Sequence, residues 1–130
     1  MREKSELIEQ IATKVIAEKE ELEYLRDCPV RIAYIVSDRE KVHNRKKVFA
    51  DCTKVSEAYG WCCPYDFFIT VYEPNTEDFN DNQLEILITH ELLHIGVDYE
   101  GVEPSYYLVP HDIEEFEIII EKYGLKWSVL

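Results

Sequence analysis

Residues 80–96 read NDNQLEILITHELLHIG, and this stretch decides how the rest of the chain is interpreted. Asn80 and Asn82 each precede a Gln or Glu by three positions, which is the pattern of a helix-starting capping box. Apolar residues then occupy nearly every side of the helix, as is typical of a buried helix. Gly96 is a residue type that commonly ends helices. The stretch therefore predicts a buried helix that runs to Ile95 and stops at Gly96.

The predicted helix contains an H-E-x-x-H sequence, formed by His90, Glu91 and His94. Residues four apart lie on one helical face, so both imidazoles can point toward one metal ion. Glu91 can then accept a proton from a water at that ion, which is the arrangement of a zinc hydrolase. Burying these polar groups is costly unless a partner such as a cation satisfies them. The alternative is that His90 and His94 are hydrogen-bonded core residues.

A catalytic zinc ion usually has three protein ligands and one open position, so a third ligand is expected after His94. The metzincin continuation requires a glycine and a histidine where this chain has Val97 and Glu100, which excludes that class. His111 and Glu114 are the remaining candidates. His111 is favoured because imidazole is a neutral ligand, and a place at the start of the next predicted helix keeps it neutral.

Neighbouring segments supply further candidates for the same cleft. Tyr106 and Tyr107 are candidate hydrogen-bond donors to a developing oxyanion. Asp98 is a candidate acceptor for the N–H group of a ligating imidazole.

The predicted elements follow the order of one helix, about three strands and two further helices, which indicates an α+β fold. Apolar spacing predicts an N-terminal helix over residues 3–26. Strands are predicted over residues 31–36, 47–55 and 66–73. The last helix would start at Asp112. A chain of 130 residues without a linker-like segment predicts a single domain over residues 1–130.

Charge is distributed unevenly and restricts the partners that the chain can have. Residues 1–60 hold 12 basic and 12 acidic side chains, whereas residues 61–130 hold 2 basic and 15 acidic ones. The acidic half disfavours nucleic acid and favours cations or a basic peptide substrate. No apolar run is long enough to span a membrane, and the charged N-terminus is unlike a signal peptide. We therefore expect a cytoplasmic protein without nucleic-acid or membrane partners.

Three stretches together resemble the putative phage metallopeptidase family, a group of small zincin-like proteins. They are residues 65–74, 90–96 and 109–116, and the likeness extends over roughly residues 31–127. The resemblance implies a minimal zincin-like domain in which His90, His94 and His111 bind Zn²⁺ and Glu91 is the catalytic base. In a zincin-like layout, the predicted strand over residues 66–73 would border the active-site cleft and offer a free edge to an extended peptide.

Two functions are compatible with these observations. The first is a zinc-dependent endopeptidase that cleaves a peptide or protein substrate. The second is a non-catalytic binding module that zinc stabilises and that acts by protein contact. Glu91 favours the endopeptidase, because a purely structural zinc site has no need of a base.

Overall fold

The computed structural model describes residues 1–110. His111, Glu114 and the predicted last helix lie outside the described residues. The elements, in chain order, are β1 (Arg2–Lys4), α1 (Glu6–Glu18), a 3₁₀ helix (Glu20–Leu25), β2 (Ile32–Ser37), β3 (Val42–His43), β4 (Lys46–Lys47), β5 (Ala50–Lys54), a second 3₁₀ helix (Glu57–Tyr59), β6 (Phe67–Tyr72), α2 (Glu73–Thr76), α3 (Asp81–Leu92), β7 (Ile95–Asp98) and β8 (Ser105–Leu108). This mixture of helices and sheets confirms the α+β class.

Four strands form the main sheet in the order β1-β2-β6-β5. β6 is parallel to β2 on one side and antiparallel to β5 on the other, so both of its edges are paired. The prediction that residues 66–73 offer a free edge is therefore wrong, and β5 is the edge strand beside α3. The sheet also has one more strand than predicted, because β1 pairs with the far edge of β2.

The apolar core lies between the sheet and the helices. Phe67, Ile69 and Val71 are buried along β6, at alternating positions that place them on one face of the sheet. α1 and α3 pack against each other over this core. The strand that precedes the H-E-x-x-H helix therefore supports it from the interior of the sheet.

The N-terminal helix is shorter than predicted. α1 ends at Glu18, and Lys19 takes an extended conformation before the 3₁₀ helix Glu20–Leu25 begins. Three-residue spacing matches a 3₁₀ turn, so Leu22 and Leu25 still enter the core together. The guanidinium of Arg26 donates to the carbonyls of Ile16 (2.6 Å) and Lys19 (2.9 Å) and holds this segment against the end of α1.

α3 starts as predicted and ends earlier. The Asn80 side chain accepts from the Gln83 amide (2.8 Å), and the Gln83 side chain accepts from the Asn80 amide (2.9 Å), which is a complete capping box. The helix ends at Leu92, so the predicted extension to Ile95 is wrong.

Gly96 has a steric role in β7 and does not end the helix. It lies opposite Tyr107 in the β7–β8 hairpin, and the phenol ring occupies the space above it. A Cβ on Gly96 would lie 2.3 Å from the nearest ring atom. Only a residue without a side chain leaves this space to the ring.

Candidate metal centre

His90, Glu91 and His94 come together at the C-terminal end of α3. One possible ligand atom from each residue lies within 4.8 Å of the others. The two imidazole rings are 5.3 Å apart between centroids and inclined by 70°, and the nearest approach of His90 to the Glu91 carboxylate, Nε2 to Oε2, is 3.9 Å. The structure therefore brings together the three side chains of the H-E-x-x-H sequence.

The three side chains of the centre differ in burial. The side chains of His90 and Glu91 are only 7% and 5% exposed, whereas His94 is half-buried. A dry environment strengthens the interaction of these groups with a cation, because fewer water molecules compete. His94 is the most accessible of the three side chains.

His94 is held by the main chain of Val109. The Nδ1 atom of His94 lies 2.7 Å from the Val109 carbonyl oxygen, and the Val109 amide donates to the His94 carbonyl at 2.7 Å. Because a carbonyl can only accept, the proton of a neutral His94 ring lies on Nδ1 and the lone pair lies on Nε2. Metal-binding histidines usually donate their second ring nitrogen in this manner.

These donors fit a divalent zinc ion. Two imidazoles favour zinc over the harder ions magnesium and calcium. The carboxylate beside them can serve as a proton acceptor or as an additional ligand. The predicted third ligand, His111, and its alternative, Glu114, lie outside the described residues.

Cys52 lies on β5, the edge strand beside α3. Burial raises the pKa of the Cys52 thiol, and the negative charge of Glu91 raises it further. The thiol therefore stays protonated and neutral. β5 thus packs beside the helix that carries Glu91.

The other candidates from the sequence have different surroundings. Tyr106 packs edge-on against Phe67, and burial raises its pKa to about 12. Tyr107 covers Gly96. The Asp98 carboxylate accepts from the amide of Glu100 at 2.9 Å, and the acceptor for the His94 ring is the Val109 carbonyl.

Two contacts near the centre cannot be predicted from the H-E-x-x-H sequence. The Val109 carbonyl belongs to the main chain, so no residue type marks it. The second is the hydroxyl of Tyr24, which contacts the carbonyls of Leu92 and Ile95 at the end of α3. Tyr24 lies 66 residues before His90 in the chain, and only the folded structure brings them together.

The α+β fold and the H-E-x-x-H helix are those of a small zincin-like domain. The model of the putative phage metallopeptidase family matches residues 1–130, beyond the 31–127 of the resemblance, and the chain belongs to this family. Searches of curated proteins and of solved structures found no match. Among residues 1–110, no helix has the length and apolar character that crossing a membrane requires.

Proposed function

We propose that this protein is a zinc-dependent endopeptidase. The observation that carries the proposal is the grouping of His90, Glu91 and His94, with His94 oriented by Val109. Membership of a family named for a metallopeptidase supports the same conclusion. A bound zinc ion would supply Lewis-acid chemistry, which polarises a peptide carbonyl and makes water more acidic.

Each residue of the motif has a separate task. His90 and His94 would hold the ion, because their rings lie 5.3 Å apart between centroids at the C-terminal end of α3. Glu91 would act as general base, accept a proton from the attacking water and deliver it to the amide nitrogen that leaves. Its buried position keeps bulk water from competing for that proton.

His111 is proposed as the third ligand, with Glu114 as the alternative. Val109 is fixed at His94 by two hydrogen bonds, and His111 follows it by two residues. Consecutive Cα atoms are about 3.8 Å apart, so two residues of chain span at most about 7 Å. This short separation in the chain supports the choice of His111 as the third ligand.

The substrate is proposed to lie along β5 as an extended peptide. β5 has a main-chain edge available for pairing within the described sheet and packs beside α3, the helix that carries Glu91. The excess of acidic residues in the second half of the chain favours peptides with basic side chains.

The Glu91→Gln variant tests the catalytic role. We expect it to keep the affinity for zinc and to lose cleavage of a permissive protein substrate by about a hundredfold or more, because the base is removed. Glu85→Gln is the matched control, since Glu85 lies in α3 but pairs with Lys14 at 2.7 Å. Cleavage by Glu91→Gln at the parent rate would refute the role of Glu91 as base. A zinc-loaded parent that cleaves no substrate would favour the binding module.

Metal content per chain tests the ligands. His90→Ala, His94→Ala and His111→Ala should each lose zinc, whereas Glu114→Ala should retain it. His43→Ala is the control, because His43 lies in the exposed β3–β4 hairpin. Retention of zinc by His111→Ala together with loss by Glu114→Ala would reverse the assignment of the third ligand.

A further inference from the structure

The second histidine of the motif lies beyond the regular part of α3. The helix ends at Leu92, and Leu93 is the capping residue whose amide donates to the Thr89 carbonyl at 3.0 Å. The His94 amide donates to the Glu91 carbonyl at 3.1 Å within the closing turn. The position of His94 therefore depends on whatever holds the turn between α3 and β7.

The hydroxyl of Tyr24, from the N-terminal part of the chain, forms hydrogen bonds with the main chain of this turn. It lies 3.1 Å from the Leu92 carbonyl oxygen and 2.6 Å from that of Ile95, so it contacts the main chain on both sides of His94. The last carbonyls of a helix have no partner within the helix. The single phenolic proton is donated mainly to Ile95, the nearer oxygen, and Leu92 shares it.

Tyr24 is itself held firmly by the N-terminal segment. It lies in the 3₁₀ helix between Leu22 and Leu25, whose side chains are buried in the core. Arg26 bonds the same segment to the end of α1. Burial raises the pKa of the Tyr24 phenol, so the hydroxyl stays protonated and remains a donor.

We propose that Tyr24 is a positioning residue for the metal centre. Its hydroxyl fixes the turn that carries His94, while Val109 fixes the ring of His94. A ligand that is fixed in place before the ion arrives loses less freedom on binding, so the ion binds more tightly. The inference rests on the proposed function, because it assumes that His94 binds the metal.

Zinc affinity measured by competition with a chromophoric chelator tests the inference. Tyr24→Phe removes one oxygen atom, and we expect it to weaken zinc binding about threefold to tenfold, the range of one lost hydrogen bond. Tyr72→Phe is the matched control. It also removes a phenolic hydrogen bond, that of Tyr72 to Asp51 at 2.8 Å, on a different strand. We expect its zinc affinity to stay within about twofold of the parent.

The visible absorption spectrum of the Co²⁺-loaded protein gives a second readout, since it reports ligand geometry. The spectrum of Tyr24→Phe should differ from that of the parent, whereas the spectrum of Tyr72→Phe should not. If Tyr24→Phe is unfolded at the assay temperature, the titrations are repeated for all three proteins in trimethylamine N-oxide, which stabilises folded chains.

The possible outcomes separate the two proposals. A parent that binds zinc and a Tyr24→Phe variant with the same affinity refute the positioning role alone. Equal weakening by Tyr24→Phe and Tyr72→Phe also refutes it, because the effect is then one of general stability. A parent that binds no zinc refutes the proposed function, and the positioning role falls with it.

Discussion

Substitution of Gly96 by alanine tests the packing of the β7–β8 hairpin. The new Cβ would lie 2.3, 2.4 and 2.7 Å from three ring atoms of Tyr107. The ordinary contact distance between two carbon atoms is about 3.5–4.0 Å, so the ring must move away by at least about 1 Å. Gly96 has no left-handed backbone conformation, and the penalty is therefore steric.

The size of the penalty depends on where the ring of Tyr107 can go. Tyr107 is 51% exposed, so its ring can rotate toward solvent. The ring would then no longer pack against Gly96. We expect Gly96→Ala to lower the free energy of unfolding by about 1–3 kcal/mol, the usual cost of overpacking. The same substitution in a Tyr107→Ala background should be neutral or stabilise by up to about 1 kcal/mol, because alanine restricts the unfolded chain.

Urea unfolding of the parent, the two single variants and the double variant measures the coupling between these positions. The expected coupling free energy is about 1–4 kcal/mol, since the clash exists only when both side chains are present. An equal cost of Gly96→Ala in both backgrounds would show that Tyr107 does not occupy the space above Gly96. The reasoning about the hairpin would then be wrong.

Three further perturbations address the helix start, a buried phenol and the metal. Asn80→Ala should lower the free energy of unfolding by about 1 kcal/mol through loss of the capping box, while Asn82→Ala, an exposed position in the first turn, should have a smaller effect in the same urea experiment. Burial raises the pKa of Tyr34, so above about pH 10 the unfolded chain releases this proton while the folded chain retains it, and stability falls as pH rises. Unfolding measured between about pH 9 and 11 should show a shallower fall for Tyr34→Phe, and an identical slope would contradict the burial of this phenol. Chelation of zinc should lower the melting temperature, because an ion at a hundredfold excess over its Kd adds about 2.7 kcal/mol to the folded state; an unchanged melting temperature would argue against a metal centre.

The sequence was most informative where structure depends on neighbours in the chain. The capping box at Asn80 is a relation across three residues that helix geometry fixes. His90 and His94 are four residues apart and lie close together, although His94 belongs to the turn that follows α3. The strand Phe67–Tyr72 was also placed correctly, because its buried face shows as alternating apolar residues.

The sequence was less informative where structure depends on distant partners. The central place of β6 follows from pairing with β2 and β5, and alternation within one strand does not reveal how many neighbours it has. β1 consists of exposed charged residues, Arg2–Lys4, that resemble the start of an amphipathic helix. Its identity as a strand comes from hydrogen bonding to β2.

Gly96 shows how one residue type supports two interpretations. A glycine after an apolar helix commonly marks the helix end, and the sequence contains no indication that Tyr107 will cover it. The register of the β7–β8 hairpin, with Gly96 opposite Tyr107, supplies the second interpretation. The same hairpin delivers Val109 to His94, which no side-chain pattern could have predicted.

The separation of these groups along the chain has a consequence for folding. His90, Glu91, His94 and Val109 all lie within twenty residues of one another, so their grouping requires only the closure of one short hairpin after a helix. The contact of Tyr24 with Ile95 spans 71 residues and requires the first part of the chain to have docked. The grouping of the three motif residues with Val109 is thus local in the chain, whereas the Tyr24 contact forms only in a chain whose N-terminal segment has docked.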